Sequence, residues 1–351
     1  MTDLVVGGGA VGTLLAWGLA AGGREVAIVR RRLEGPPRRA QVTVIDPDGN
    51  QASAQVTEVS TPDALEAAPE VIIFAVKAFD LADAAASCMK WPTTPALTVL
   101  NGVGAEEIIA EARPDGGLIA GSVTASVEST GEGTVARLNR GGVALAPTGG
   151  DVDELTEALL AALAKAGLRT RRVADPAAMK WSKLVANLVG NASSAILDMS
   201  PAEIYGDRAG FAIERRQILE ALAVMRHLGL RPVALPGANV PLLAFGARFP
   251  TAVARPIMRR IIGGARGGKD PSLRIHARSG SGPSEVHWLN GAVARAADRL
   301  GLPAPVNRRL TELVDEVLEH QERRDWFHGR FDRLVEAVEG ADTAAATSSR
   351  A

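Results

Sequence analysis

The spacing Gly7-x-Gly9-x-x-Gly12 limits what this chain can fold into, because it lies between an apolar strand-like run, Leu4 to Gly7, and a helical stretch, Val11 to Ala21. Glycines at these positions permit a tight turn, a close approach of ligand phosphates to the backbone and close packing of helix on strand. A helix that begins there also points unpaired N–H groups and its positive dipole end at an anion. Gly7, Gly9 and Gly12 are therefore expected to bind a dinucleotide.

The rest of the N-terminal half fits such a unit. From Leu4 to about Val173, short β-branched runs alternate with Ala/Leu-rich helical stretches, the pattern of βαβ units around a mainly parallel sheet. Expected strands are Leu4 to Gly7, Glu25 to Val29, Val71 to Val76, Ala96 to Leu100 and Leu118 to Ser122, with a hairpin between Arg38 and Val59 turning at Asp46-Pro-Asp-Gly-Asn50. A strand pair around Gly131-Glu-Gly133 and a strand Leu168 to Val173 complete it.

After Asp175-Pro176 strands give way to helical periodicity, with helices expected over Phe211 to Leu228, Glu285 to Leu300 and Arg308 to Arg324. The reading is α/β: a Rossmann-type doubly wound parallel sheet over residues 1–174, an all-helical domain over 175–340, and an unstructured tail over 341–351.

The second strand ends in Arg30-Arg31-Arg32, where an NAD enzyme carries a carboxylate for the ribose 2′-hydroxyl. A guanidinium there suits a 2′-phosphate, so the expected cofactor is NADP(H) with Arg30 as a contact. Lys77 and Asn101 follow the third and fourth strands, at the carboxyl ends where an open parallel sheet binds ligands. Lys77 suits a phosphate and Asn101 the ribose, nicotinamide or substrate, with a plain turn residue as the alternative for either.

In the helix beginning near Pro176, Lys183, Asn187 and Asn191 recur at intervals of four and are expected to share one face. Asparagine is a poor helix former, so two of them among apolar neighbours point to work for their amides. Glu285 follows Gly280-Ser-Gly-Pro-Ser284 at a predicted helix start, where a carboxylate is favoured by the dipole.

Composition narrows the class. Lysine and arginine total 39 against 40 aspartates and glutamates, so no global basic field draws the chain to nucleic acid or to a membrane. No apolar run approaches the roughly 20 residues of a membrane span, and the start does not read as a signal peptide. The single cysteine, Cys88, fits a reducing, cytoplasmic setting. The five histidines lack zinc-ligand spacing, and no metal is expected.

In order along the chain, Gly7-x-Gly9-x-x-Gly12, Lys77, Asn101-Gly-Val-Gly104, Lys183-Leu-x-x-Asn187-x-x-x-Asn191 and Ser284-Glu285-Val-His-Trp-Leu-Asn290-Gly291 resemble the ketopantoate reductase family over about residues 1 to 325. The resemblance implies Lys183 as proton donor, Asn187, Asn191 and Ser272 as substrate-binding residues, and Arg30 and Lys77 as contacts to the 2′-phosphate. It further implies Asn101 and Glu285 at the nicotinamide end. Ser279 and Ser281 are alternatives to Ser272. The chain departs from the family at Pro201, where a further asparagine is usual, and in a long stretch from Pro236 to Lys269 that adds Arg255, Arg259, Arg260 and Arg266.

The implied activity is NADPH-dependent reduction of a 2-keto acid to a 2-hydroxy acid, ketopantoate to pantoate in the family. A reductase of the same architecture acting on another keto acid or an imine is an alternative, and a non-enzymatic NADPH sensor a more distant one. A homodimer built through the helical domain is also expected.

Overall fold

The computed structural model describes residues 2–263, 270–279 and 282–348. The chain divides into two compact units, the first running to Lys180 and taking in Leu235–Ala238, the second comprising Trp181–Ala234 and the chain from Asn239 onward. The division falls inside the helix Pro176–Leu188, whose start is where the sequence places the change of character.

The first unit is built on one sheet of β1 (Thr2–Val6), β2 (Glu25–Val29), β3 (Arg38–Ile45), β4 (Gln51–Val59), β5 (Val71–Phe74), β6 (Ala96–Thr98), β7 (Leu118–Val123), β8 (Val127–Gly131), β9 (Thr134–Arg137), β10 (Gly142–Gly149) and β11 (Arg169–Arg172). Their spatial order is β11-β10-β7-β6-β5-β1-β2-β4-β3-β9-β8. The run β7-β6-β5-β1-β2-β4 is parallel throughout, while β10 joins β7 and β3 joins β4 antiparallel. The chain steps from β1 to β2 on one side and later to β5 on the other, so the order reverses at β1 and a crevice opens beyond the ends of β1 and β5.

Both faces of the centre are covered, as a parallel sheet requires. Val5, Val71 and Ile73 join the core beneath the helices Ala10–Ala21 and Asp153–Lys165. Leu4, Ile72 and Phe74 alternate with them and are equally buried on the opposite face. The doubly wound architecture read from the sequence is thus the observed one. β10 was not anticipated: Gly142-Val-Ala-Leu-Ala-Pro-Thr-Gly149 has little strand propensity, and its place is set by pairing with β7 and β11.

In the second unit the helix Arg208–His227 is the hub, packing against Pro201–Gly206, Val240–Arg248, Asn290–Arg299, Pro305–Glu319 and Phe331–Ser348. Two expected helices are divided. Glu285–Trp288 is a separate 3-10 turn before Asn290–Arg299. His320, with extended backbone, separates Pro305–Glu319 from Gln321–Phe327. The final helix, Phe331–Ser348, continues into the stretch from Ala341 for which no structure was expected, and residues 349–351 lie outside the described residues.

One buried side chain holds the segment that leads into β6. The Arg113 guanidinium, at the end of the helix Ala105–Ala112, donates to the carbonyls of Cys88 (3.0 Å), Trp91 (2.6 Å) and Thr94 (2.9 Å). Burial pulls its pKa below the ordinary arginine value. Arg113→Met fills the volume but donates nothing to three carbonyls, so it should cost about 3 kcal/mol, read as a lower urea midpoint with unchanged slope.

Candidate functional site

The glycine turn separates three physical roles. Gly7 has φ 116°, and a Cβ there would lie 2.6 Å from the Ala75 carbonyl oxygen just beyond β5. A Cβ on Gly12 would run into the Gly7 carbonyl, so this glycine brings helix and turn together. Gly9 is different: it is exposed, its backbone is ordinary for any residue, and a Cβ there meets nothing within 4 Å. Folding alone does not demand glycine at this position, whereas a ligand lying against the first turn of Ala10–Ala21 would. That turn carries no acidic residue and no side-chain cap, leaving its N–H groups to an anion.

Arg30, directly after β2, folds back over this turn. Its Nη1 donates to the Gly8 carbonyl and to Thr13 Oγ1 (3.2 Å), and its Nε donates to Glu58 Oε1 (3.1 Å). Nη2 is buried without a hydrogen-bond partner. An oriented guanidinium with one nitrogen unspent, above a glycine turn with open space at Gly9, fits a phosphate-bearing dinucleotide. Arg31 is 74 % exposed and pairs with Asp80 at 3.2 Å, and Arg32 is exposed. Lys77 is exposed at the start of the 3-10 turn Ala78–Asp80. Asn101 is half-buried in a loop whose glycines, Gly102 (φ 86°) and Gly104 (φ 107°), take left-handed conformations before the helix Ala105–Ala112. The first unit thus gathers Gly7, Gly9, Gly12 and Arg30 at one turn, with Lys77 and Asn101 beyond β5 and β6.

In the second unit Lys183 and Asn187 lie one turn apart and half-buried on Pro176–Leu188. Asn191 does not continue that face, contrary to expectation. The helix stops at Leu188, Gly190 turns left-handed (φ 59°), and a new helix runs Asn191–Leu197. The break has an identifiable cause in Glu214, which is wholly buried and accepts from Gly190 N (2.6 Å), Ser193 Oγ (2.6 Å) and Tyr205 OH (3.0 Å).

Turned aside in this way, Asn191 is buried and its Oδ1 accepts from Leu273 N at 3.1 Å, which sets it beside Ser272 at the start of Ser272–Ser279. Ser272 is exposed, whereas Ser279 is spent within its own turn on the His276 carbonyl; Ser281 and Arg266 lie outside the described residues. Glu285 is buried behind the Ser284 cap, whose Oγ accepts from Val286 N (3.1 Å). Asn290, from the same motif, is structural: its amide donates to Gln217 Oε1 (2.8 Å) and Asn307 Oδ1 (3.0 Å).

Two further features bear on charge. Asp198 takes a left-handed conformation (φ 50°) and pairs with Arg274 and Arg278, both at 2.8 Å; Asp270 pairs with the same two arginines. Partial burial works against ionisation of Asp198, yet the two guanidinium groups hold its carboxyl below the usual range. Arg255 and Arg259 line, with Arg208, a separate cavity of about 490 Å³ that includes none of Lys183, Asn187, Asn191 or Ser272. No three His, Cys, Asp or Glu among the described residues are grouped to hold a metal, and no described helix is long and apolar enough to cross a membrane.

The domain described as Ketopantoate reductase PanE/ApbA matches residues 4–150, and its C-terminal counterpart matches residues 175–318. This chain belongs to the ketopantoate reductase family. It is 26% identical over 318 residues to a 2-dehydropantoate 2-reductase of Halobacterium salinarum, covering 90% of this chain and 98% of that one. A second 2-dehydropantoate 2-reductase, from Pyrobaculum aerophilum, is 27% identical over 310 residues, covering 88% and 95%. Among solved structures, a PanE/ApbA family ketopantoate reductase from Ralstonia eutropha JMP134 superposes with TM-score 0.73 at 25% identity, over 92% of this chain and all of that one. A D-mandelate dehydrogenase with NADH and anilino(oxo)acetate has the same fold (TM-score 0.73, 21% identity, 91% and 99% coverage). By membership the chain is an oxidoreductase of an NADP(H)-dependent family.

The contrast between two glycines is directly measurable. Gly12→Ala should lose about 2 kcal/mol of stability through overpacking against the Gly7 carbonyl. Gly9→Val should stay within about 1 kcal/mol of the parent in urea unfolding while NADPH binding, followed by nucleotide fluorescence, falls by about a hundredfold or more. Normal NADPH affinity in Gly9→Val would remove the ligand from this turn.

Proposed function

We propose that the protein reduces 2-dehydropantoate (ketopantoate) to pantoate with NADPH, using Lys183 as proton donor. The observation that carries the reading is the pairing of Lys183 and Asn187, half-buried one turn apart on Pro176–Leu188, in a chain of this family. NADPH when bound supplies hydride from the nicotinamide to the ketone carbon. The Lys183 ammonium stabilises the developing alkoxide and delivers the proton that completes the hydroxyl. Asn187 orients the keto acid through its amide. Asn191 spends its carbonyl on Leu273, so its amide N–H groups are the part offered to substrate, beside the Ser272 hydroxyl. In the first unit Arg30 and Lys77 take the 2′-phosphate, the turn at Gly9 takes the pyrophosphate, and Asn101 takes the nicotinamide end; in the second, Glu285 lines that same end.

A second reading keeps the chemistry and changes the acid. Pro201 begins the helix Pro201–Gly206 where the family usually carries an asparagine, so one amide contact to ketopantoate is missing and another 2-keto acid is favoured to that extent. Initial rates with ketopantoate against a panel of 2-keto acids, following NADPH absorbance, separate the two.

Cofactor choice follows from Arg30. NADPH should bind at least about tenfold tighter than NADH, and Arg30→Ala should remove most of that margin. Glu58 remains paired with Arg38 at 2.9 Å in that variant, so no buried carboxylate is stranded and the change reads on the cofactor. Equal affinities in the unaltered protein would sink the assignment.

The acid is tested by Lys183→Ala, expected to lower turnover by about a hundredfold or more with NADPH affinity nearly unchanged. Asn187→Ala should instead raise the KM for the keto acid more than it lowers kcat. A fully active Lys183→Ala enzyme, shown to be folded, would overturn the mechanism.

A further inference from the structure

Lys180 lies one helical turn before Lys183, yet its polar partners Glu106, Leu100 and Gly121 all belong to the first unit. Its side chain is 4 % exposed. The Nζ atom lies 3.1 Å from Glu106 Oε1, 2.7 Å from the Leu100 carbonyl and 3.4 Å from the Gly121 carbonyl. An ammonium has three donors, and three acceptors surround this one. Glu106 Oε1 also accepts from Thr98 Oγ1 at 2.5 Å. Thr98 is the last residue of β6, Leu100 directly precedes Asn101, and Glu106 sits in the first turn of the helix that follows Gly104. The network therefore grips the loop 99–105 at both ends.

That loop cannot set its own shape. Gly102 and Gly104 carry φ 86° and 107°, and glycines leave such a segment many conformations. Well-packed apolar residues would be as stabilising as a buried ion pair, and far less directional. The pair does what an apolar contact cannot: it binds the Leu100 carbonyl beyond β6, the Gly121 carbonyl within β7 and the Thr98 hydroxyl, and so fixes where Asn101 stands.

We infer that Lys180 and Glu106 are positioning residues, whose buried ion pair holds the Asn101 loop in the geometry that receives the nicotinamide end of the cofactor. The inference rests on the reading of Asn101 given above. Removing one partner would strand the other charge, so the pair is replaced together.

In Lys180→Met/Glu106→Gln, Kd is measured by calorimetry for NADPH and for 2′-phospho-ADP-ribose, the same molecule without nicotinamide. The NADPH affinity should fall by about tenfold while the affinity for the fragment changes by less than about twofold. A general loss of structure would weaken both ligands alike and would overturn the inference, as would no change in either. Thr98→Val keeps both charges, drops one hydrogen bond and is safe to fold; it should show the same split at about threefold, and its absence there counts equally against the proposal. Asn101→Ala separates the two layers. If it leaves NADPH affinity unchanged, the reading of Asn101 fails and the inference with it. If it weakens NADPH but the pair replacement does not, Asn101 stands and the positioning role of Lys180 and Glu106 is wrong.

Discussion

At the end of β1 the chain passes so close to the end of β5 that Gly7 has no room for a side chain against the Ala75 carbonyl, and Ala75 N in turn donates to the Val6 carbonyl at 2.8 Å. This contact is the hinge of the first unit's architecture. β1 is where strand order reverses, so the backbone diverges to β2 on one side and β5 on the other, the arrangement that leaves a crevice at the strand ends of a doubly wound sheet. The close approach of Gly12 to the Gly7 carbonyl then seats the helix Ala10–Ala21 on the same spot and aims its N-terminus at the crevice. Arg30 reaches that turn because β2 pairs with β1 in register over its whole length, ending with Val29 opposite Val6.

A second regularity runs through both units: buried charges are spent on backbone shape. Glu58 takes Arg30 and Arg38 and keeps Arg30 over the glycine turn. Arg113 gathers three carbonyls. Glu214 takes a backbone N–H at the left-handed Gly190 and decides where one helix ends and the next begins. A composition of 39 basic against 40 acidic residues gives no hint of this, because the net charge is blind to which charges are inside. Most of their polar atoms are met by partners, Arg113 Nε and Arg30 Nη2 being the exceptions, and each group holds a bend or an orientation that local propensity would not choose.

The sequence was legible where periodicity and turn chemistry act locally. The glycine fingerprint, the central strands, the hairpin over Arg38 to Val59 and the hub helix all follow from patterns a few residues long. What escaped was decided at long range. A spacing of four from Lys183 through Asn191 reads as one helix face, and only a carboxylate from another helix shows why the chain turns at Gly190. Even so, there was a signal: Glu214 falls within the apolar stripe of Phe211, Ile218, Ala221 and Met225, where a charge must have a buried partner. Lys180 carried no comparable mark, since Met179-Lys-Trp-Ser-Lys183 has a polar residue on either side of Trp181 and nothing local says which one is buried. β10 escaped for the opposite reason, being a strand paired on both sides yet written mostly in glycine, alanine and proline.

Fold alone leaves selectivity open, since a reductase named for ketopantoate and a D-mandelate dehydrogenase superpose on this chain equally well. The second unit's charges limit the options. Arg274 and Arg278, on the helix that begins with Ser272, are both committed to Asp198 and Asp270. Breaking those pairs to bind a substrate carboxylate would leave Asp198 unsatisfied in a left-handed conformation that the two arginines help to hold. In the proposed reading the acid is therefore met by Lys183, by the amides of Asn187 and Asn191 and by the Ser272 hydroxyl, with Arg274 and Arg278 held out of its recognition. Neutral amides and a hydroxyl discriminate by distance and direction more than by charge. On that proposal the size and branching of the keto acid, which set where its carboxylate falls relative to Lys183, are what would decide selection.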